Sequence, residues 1–321
     1  MIRAEGLTKD YGLHRAVDDV SFSIERGDIV GLLGPNGSGK TTIMRMLTGF
    51  FAPTAGSCSI AGHDVRAEPR EIRRRIGYLP ERVALYPDMS VRAYLSFVAR
   101  VHEVRSNVGA AVDETMERCG LSEMASRDIG KLSRGYKQRV GIAQAVIHKP
   151  DVLILDEPTV GLDPRQIVEI RDLIRKLAGQ STVLLSTHIL PEVSITCRRV
   201  LILDHGKLVA EDTAEALAAK TYGGGETLVR LHGPETDVVA ALGALDAVSE
   251  VKVLDCAPDG VLSIAVKSDA GADPKPAIAG AVVAKGWALH EIGARQTSLE
   301  DLFVQILEEA ERSGRAGGGA S

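Results

Sequence analysis

Several things are scarce in this sequence, and each scarcity excludes something. Aromatic residues make up 4% of the chain, so any core it builds has to be aliphatic. The four cysteines, Cys58, Cys119, Cys197 and Cys256, lie far apart. None of them pairs with another at ligand spacing, which argues against a zinc module or a disulfide framework and for reduced thiols in a cytosolic protein. No stretch approaches the ~20 apolar residues that a bilayer-spanning helix needs. The first residues, Met1-Ile2-Arg3-Ala4-Glu5-Gly6, lack the apolar centre of a secretion signal. A membrane role would therefore have to run through a separate partner. A basic surplus is also missing: the net charge is −5, the opposite of a general nucleic-acid binder, and no nucleic-acid partner is expected. No internal repeat is visible.

What is present is an ordinary globular composition, 45% hydrophobic over 321 residues, enough for two domains at roughly 150 residues each. The most informative stretch is Gly34-Pro35-Asn36-Gly37-Ser38-Gly39-Lys40-Thr41-Thr42. The apolar run Ile29–Leu33 before it suits a buried parallel strand. Ile43–Leu47 after it suits a helix ended by Gly49. Glycines placed where a strand turns into a helix form a phosphate-binding loop. Without Cβ, Gly34, Gly37 and Gly39 allow unusual dihedrals and a close approach to ligand. Backbone N–H groups and the helix N-terminus face the anion. Lys40 adds a full charge near the β- and γ-phosphates, and the Thr41 hydroxyl is placed for Mg²⁺.

Ahead of the loop, residues up to about Glu25 alternate as antiparallel strands with turns at Asp10-Tyr11-Gly12 and Arg26-Gly27-Asp28. Pro53–Val65 returns to short strands, Pro69–Arg75 is a short basic helix, and Ile76–Leu79 is a strand. Val91, Tyr94, Leu95, Val98 and Val101 repeat at helical spacing, and Val112, Met116 and Cys119 continue in a second helix. Strand and helix then alternate: helix Ser133–His148, strand Val152–Leu155, helix Pro164–Leu177, strand Thr182–Ser186, helix Pro191–Cys197, strand Val200–Leu203. This is the signal of an α/β parallel sheet with a helical insertion. Composition shifts at Tyr222-Gly223-Gly224-Gly225, a predicted linker. Beyond it the order is strand (Leu228–Leu231), helix (Glu235–Leu245), strand (Val248–Leu254), strand (Val261–Val266), helix (Pro274–Lys285), strand (Leu289–Ile292) and a last helix (Leu299–Glu311). The βαββαβ part of that order predicts a small α+β, ferredoxin-like domain. Gly314–Ser321 reads as a disordered tail.

Val152–Leu155 ends in Asp156-Glu157, two carboxylates at the carboxyl end of a buried strand, where open α/β sheets bind ligands. Neighbours on a strand point to opposite faces, so the two acids can do different work. Asp156 would hold Mg²⁺ and Glu157 would polarise an attacking water. Leu132-Ser133-Arg134-Gly135-Tyr136 precedes a long helix, and Ser133 alone would be an ordinary N-cap.

Taken together, the order of Gly34–Thr42, Ser133/Gly135, Asp156-Glu157, Gly161-Leu162-Asp163-Pro164 and His188 resembles that of ABC ATPases. Lys131–Pro164 is especially similar to ATP-binding subunits of ABC-2-type exporters, including the gliding-motility-associated branch. The resemblance implies a P-loop ABC ATPase domain over 1–221, with a parallel-sheet core, an antiparallel β subdomain and a helical subdomain at about 88–145. An accessory domain over 222–312 and a tail over 313–321 would follow. It also implies roles. Tyr11 would stack on adenine, and Ser133 and Gly135 would bind the γ-phosphate held by a second copy. Asp163 would lie at the seam between copies, and His188 would contact the γ-phosphate. Glu81 stands where the family usually has a glutamine touching Mg²⁺. Arg134 replaces the signature's second glycine and Tyr136 its glutamine. ATP and Mg²⁺ are the implied ligands. The implied partners are a second copy and a separately encoded ABC-2-type permease, which would place the protein in the cytoplasm against the inner face of the cell membrane.

Two other readings carry less of this. A non-transport ABC ATPase acting on ribosomes or DNA would usually carry a second cassette, or a long coiled coil or zinc modules between phosphate loop and signature. A small-molecule kinase would leave Ser133, Asp163 and His188 together unexplained. In the C-terminal part, Asp255, Cys256 and His290 are too scattered to form a site, so a packing or dimerisation module is expected there.

Overall fold

The computed structural model describes residues 1–104, 107–213, 216, 226–246, 248–268 and 273–294. They fall into two compact units, one within Met1–Glu215 and the other within Ala216–Val304. The predicted linker at Tyr222–Gly225, the helix Leu299–Glu311 and the tail Gly314–Ser321 lie outside the described residues.

The first unit opens with long antiparallel strands β1 (Ile2–Tyr11) and β2 (His14–Ile24). Tyr11 pairs with His14, so Tyr11 ends a strand and the turn is Gly12-Leu13, one step beyond the sequence expectation. Strand β3 (Ile29–Leu33) leads through the glycine loop into α1 (Lys40–Leu47). Then come β4 (Ala55–Ile60), β5 (His63–Asp64), α2 (Pro69–Arg75) and β6 (Ile76–Leu79). A helical block follows, α3 (Val91–Val101), α4 (Val108–Arg118) and α5 (Arg134–Val146). It separates β6 from its parallel neighbour β7 (Val152–Asp156). The unit closes with α6 (Pro164–Ala178), β8 (Thr182–Thr187), α7 (Leu190–Thr196), β9 (Arg199–Asp204) and β10 (Lys207–Thr213).

These strands make two sheets, an antiparallel one ordered β2-β1-β4-β5 and a six-stranded one ordered β10-β9-β3-β8-β7-β6. In the latter, β9, β3, β8, β7 and β6 run parallel and β10 runs against them. The parallel strands are apolar on both faces because both faces are covered. The core between the sheets is aliphatic, as composition requires: Leu7, Ile24, Leu32, Ile43, Met44, Leu47 and Ile154 are each fully buried. In α3 the stripe runs through Val91, Tyr94, Leu95 and Ala99, while Val101 is 62% exposed. At about 100° per residue Val101 has rotated off the face that Val91 starts, and the smaller Ala99 takes the place.

Helix α5 is tied to the sheet at its far end. His148 Nε2 donates to the Ile76 carbonyl at 2.9 Å, and its ring stacks on His102 with centroids 3.9 Å apart. Burial, then the neighbouring His102, pushes the His148 pKa down to about 4. Cys58, Cys119 and Cys197 are buried thiols and Cys256 is exposed. Burial pushes Cys58 up to about 11 and Cys119 up to about 12, which leaves both as packing groups rather than nucleophiles.

The second unit contains β11 (Glu226–His232), α8 (Glu235–Gly243), β12 (Val248–Cys256), β13 (Val261–Ser268), α9 (Lys275–Ala284) and β14 (Ala288–Ala294). Its sheet, ordered β12-β13-β11-β14 with every pairing antiparallel, is the ferredoxin-like arrangement. Val229, Leu231, Val238, Leu242, Ile264, Val266, Ile278 and Val282 make its core.

Candidate active site

The carboxyl ends of β3, β7 and β8 lie side by side, and each delivers part of one site. Beyond β3, the backbone of Gly39 stands at φ 103° as the residue before α1. A Cβ there would also meet the Ala16 carbonyl oxygen at 2.7 Å. Gly37 is needed for its φ of 83° alone, since a Cβ there would touch nothing. Gly34 is different from the expectation: its φ is not positive. A Cβ there would overlap the Leu203 carbonyl oxygen and Ser38 Oγ, so it is required for space. Ser38 itself is buried and its amide bonds Pro35 O at 3.2 Å.

Lys40 is 6% exposed. Its Nζ donates to Gly34 O at 2.7 Å and Pro35 O at 3.0 Å and lies 4.0 Å from Glu157 Oε1. Burial lowers its pKa, opposed by the charges of Glu157, Asp156 and Glu81. A buried cation held by carbonyls and one distant carboxylate is placed for a further anion.

Asp156 and Glu157, at the end of β7, are 1% and 8% exposed. Ser186, from β8, organises them: its Oγ donates to Asp156 Oδ1 at 2.6 Å and accepts from the Glu157 amide at 2.9 Å. Thr41 Oγ1 donates to the same Asp156 oxygen at 3.4 Å. Asp156 Oδ2 is buried without a hydrogen-bond partner. A buried carboxylate oxygen left unpaired is costly, and oxygen donors from Thr41 and Asp156 fit a hard divalent cation such as Mg²⁺. The Glu157 backbone is left-handed, φ 49°, a strained state for a non-glycine residue that surrounding structure must impose. Both of its carboxylate oxygens stand 3.1 Å from His188 Nδ1.

A cavity of about 570 Å³ joins these groups; Tyr11, His14, Asn36, Gly37, Gly39, Lys40, Thr41, Thr42, Glu81, Glu157 and His188 line it. Tyr11 is 42% exposed at its mouth, with its ring edge against Phe51. Ser133, Gly135 and Asp163 are elsewhere, around a second cavity of about 500 Å³ shared with Tyr136, Arg139 and Gln166. There Ser133 Oγ caps α5 through the Tyr136 amide at 3.4 Å, and Asp163 Oδ1 caps α6 through the Gln166 amide at 2.9 Å. Gly135 packs on α6, where a Cβ would meet the Gln166 side chain at 2.7 Å. The unusual Arg134 folds away from this cavity, and its Nη2 donates to Val160 O at 2.9 Å.

Reading the sequence missed Ser186, Gln138 and Glu192. Ser186 was signalled by polar residues ending an otherwise apolar strand. Gln138 Nε2 donates to Pro158 O at 2.8 Å, and Glu192 accepts from Thr159 at 2.6 Å; nothing local in the sequence marks either.

The chain is similar to known proteins over most of its length. The family model described as ABC transporter matches residues 17–160, and an AAA-domain model matches residues 127–194. Daunorubicin resistance ATP-binding protein DrrA3 of Streptomyces coeruleorubidus is 37% identical over 77% of this chain and 79% of its own. Bacitracin transport ATP-binding protein BcrA of Bacillus licheniformis is 35% identical over 96% of this chain and 97% of its own. The solved dimeric post-hydrolysis state of the ATP-binding cassette MJ0796, bound to ADP and Pi, matches with a TM-score of 0.60 at 25% identity, covering 67% of this chain and 99% of that one. The chain belongs to the ATP-binding, ATP-hydrolysing subunits of ABC transporters.

Proposed function

We propose that the chain drives a separately encoded ABC-2-type export permease from the cytoplasmic face of the membrane, two copies closing head to tail on two ATP molecules. The observation that carries this reading is the convergence of Lys40, Thr41 and Glu157 on one cavity, with Asp156 in reach of Thr41, and of Ser133 and Asp163 on another. One chain alone therefore holds each half of a composite site in a different place. A second copy in head-to-tail register brings Ser133 and Gly135 over the first cavity. The dimeric MJ0796 cassette supports the pairing of two copies, and the names of DrrA3 and BcrA support drug resistance and transport.

In this reading the loop amides and Lys40 bind the β- and γ-phosphates, and Tyr11 stacks on adenine. Thr41 and Asp156, with Glu81 nearby, hold Mg²⁺, which when bound neutralises phosphate charge. Glu157 orients the attacking water and accepts its proton, and His188 steadies that carboxylate through Nδ1, within reach of both its oxygens, leaving Nε2 to contact the γ-phosphate. The α5 N-terminus offers the facing γ-phosphate the Ser133 hydroxyl and free amides. Among the described residues no helix is long and apolar enough to cross a membrane. The exposed apolar patch of Tyr86, Phe97 and Val101 follows Glu81 in the chain, and patches of this kind mark interaction surfaces; we assign it to the permease.

The test is a mild-detergent purification of Glu157→Gln with Mg-ATP, with co-purifying chains identified by mass spectrometry. A polytopic membrane protein in stoichiometric amount is the expected result. Recovery with ribosomal or DNA-bound proteins alone would overturn the transport reading and leave the ATPase standing.

A further inference from the structure

The loop from Glu157 to Asp163 runs from the first cavity to the second, and α5 grips it by two side chains. Gln138 donates to the Pro158 carbonyl at 2.8 Å and Arg134 to the Val160 carbonyl at 2.9 Å. The two donors are four residues apart, so one helix face presents both. Their acceptors are two residues apart on the loop. Gly161, at φ 69°, completes the fit, because a Cβ there would overlap the Arg134 guanidinium. On its other side the loop is held by the bond from Thr159 to Glu192 at 2.6 Å. Val160 also lines the cavity that holds Lys40 and Glu157.

Arg134 is exposed, so water could solvate it; folding it onto a carbonyl costs rotamer freedom that the contact has to offset. It is also the residue directly after Ser133, whose hydroxyl caps the same helix. The clasp therefore joins the place where a facing nucleotide would sit to the strained backbone that carries Glu157.

We propose that Arg134 is a positioning residue for hydrolysis. It fastens the Val160-Gly161 turn to the start of α5, so that a nucleotide seated at Ser133 sets the placement of Glu157 in the same chain. Each of two paired sites would then read the occupancy of the other through one arginine. The inference rests on the roles proposed above for Glu157 and Ser133.

The experiment is steady-state Mg-ATP hydrolysis by the full chain as wild type, Arg134→Gly, Arg134→Lys and Gly161→Ala, with nucleotide-driven dimerisation measured in Glu157→Gln and Glu157→Gln/Arg134→Gly. Displacing a catalytic group slightly costs rate rather than affinity, so Arg134→Gly is expected to lower kcat about tenfold with KM within about twofold. Arg134→Lys, which keeps a donor, should recover much of that loss. Gly161→Ala, which breaks the clasp from the other side, should lower kcat at the same KM. The double variant should still form the nucleotide-bound dimer. A raised KM or a lost dimer would overturn the proposal by placing Arg134 on the facing nucleotide. An unchanged kcat would overturn it outright, as would a kcat loss that lysine leaves unrepaired. Wild-type protein that hydrolyses no ATP would sink the reading of Glu157 instead, which separates the two failures.

Discussion

The cavity around Lys40 and the cavity around Ser133 are built on opposite principles. Around Lys40 the charged groups are buried, at 6% exposure for Lys40, 1% for Asp156 and 8% for Glu157. One carboxylate oxygen there is unpaired and one backbone is strained. Around Ser133 the polar groups are satisfied at home: the Ser133 and Asp163 oxygens each cap their own helix. The first cavity stores unmet electrostatic demand before any ligand arrives. The second makes no demand and becomes useful only when another surface presents an anion. Changes at the first should therefore act on chemistry and affinity within one chain, and changes at the second on assembly.

The largest effect should come from Glu157→Gln. Removing a general base costs about 10²–10⁴-fold in rate, while ATP binding and the closed dimer persist. Single-turnover hydrolysis and size-exclusion with ATP measure both, and rapid turnover by this variant would break the comparison at its root. Lys40→Ala should follow, with nucleotide affinity falling about 10²-fold, the worth of charge-assisted bonds to phosphate; a fluorescent-nucleotide titration reads it. The reverse pattern, intact affinity without Lys40, would mean that the first cavity is not the primary binding place.

The third prediction concerns the frame that both cavities share. His148 has a folded pKa of about 4 against an ordinary 6.5. The unfolded chain therefore takes up the proton first as pH falls. Stability from neutral His148 is complete above about pH 6.5 and is lost on the way down to about pH 4, by an amount on the order of 2–3 kcal/mol. Denaturant unfolding between these pH values should show this slope, and His148→Gln, which keeps a donor for Ile76 O, should flatten it. The smallest effect should be that of Ser133→Ala. Loss of a helix cap costs about 1 kcal/mol in unfolding. Affinity for ATP in the isolated chain should stay within error while ATP-driven dimerisation weakens, and a drop in monomer affinity would erase the distinction between the cavities.

The same contrast explains what could be read from residues alone. The first cavity is written mostly in contiguous stretches, Gly34–Thr42 and Val152–Glu157, because a turn and a strand end fix their own geometry. The second was legible only through resemblance, since an isolated serine before a helix is an ordinary cap. The fold was readable where strands are buried on both faces, as in Val152–Leu155. Strand β10 was missed because its residues are exposed or half-buried and its apolar run is only Leu208-Val209-Ala210. The place of Tyr11 was misread by one turn residue because strand pairing, which carries β1 to Tyr11, outweighed the turn chemistry of Asp10-Tyr11-Gly12. Arg134 as a departure was visible, but its resting place on Val160 depends on a loop 26 residues away, a distance that no local rule covers.

That overlooked strand has a colloidal consequence. The parallel strands of the larger sheet would, if left bare on the β9 side, offer a row of unpaired amides and carbonyls to any extended segment from a neighbouring molecule. Strand β10 covers that side in the opposite direction. It carries Lys207, in reach of Asp18 at 3.3 Å, and Glu211, paired with Arg199 at 2.6 Å. A charged, short outermost strand is a poor template for further strand addition. On this side the larger sheet therefore presents neighbouring molecules with the seven exposed or half-buried residues Lys207–Thr213 in place of the bare edge of β9.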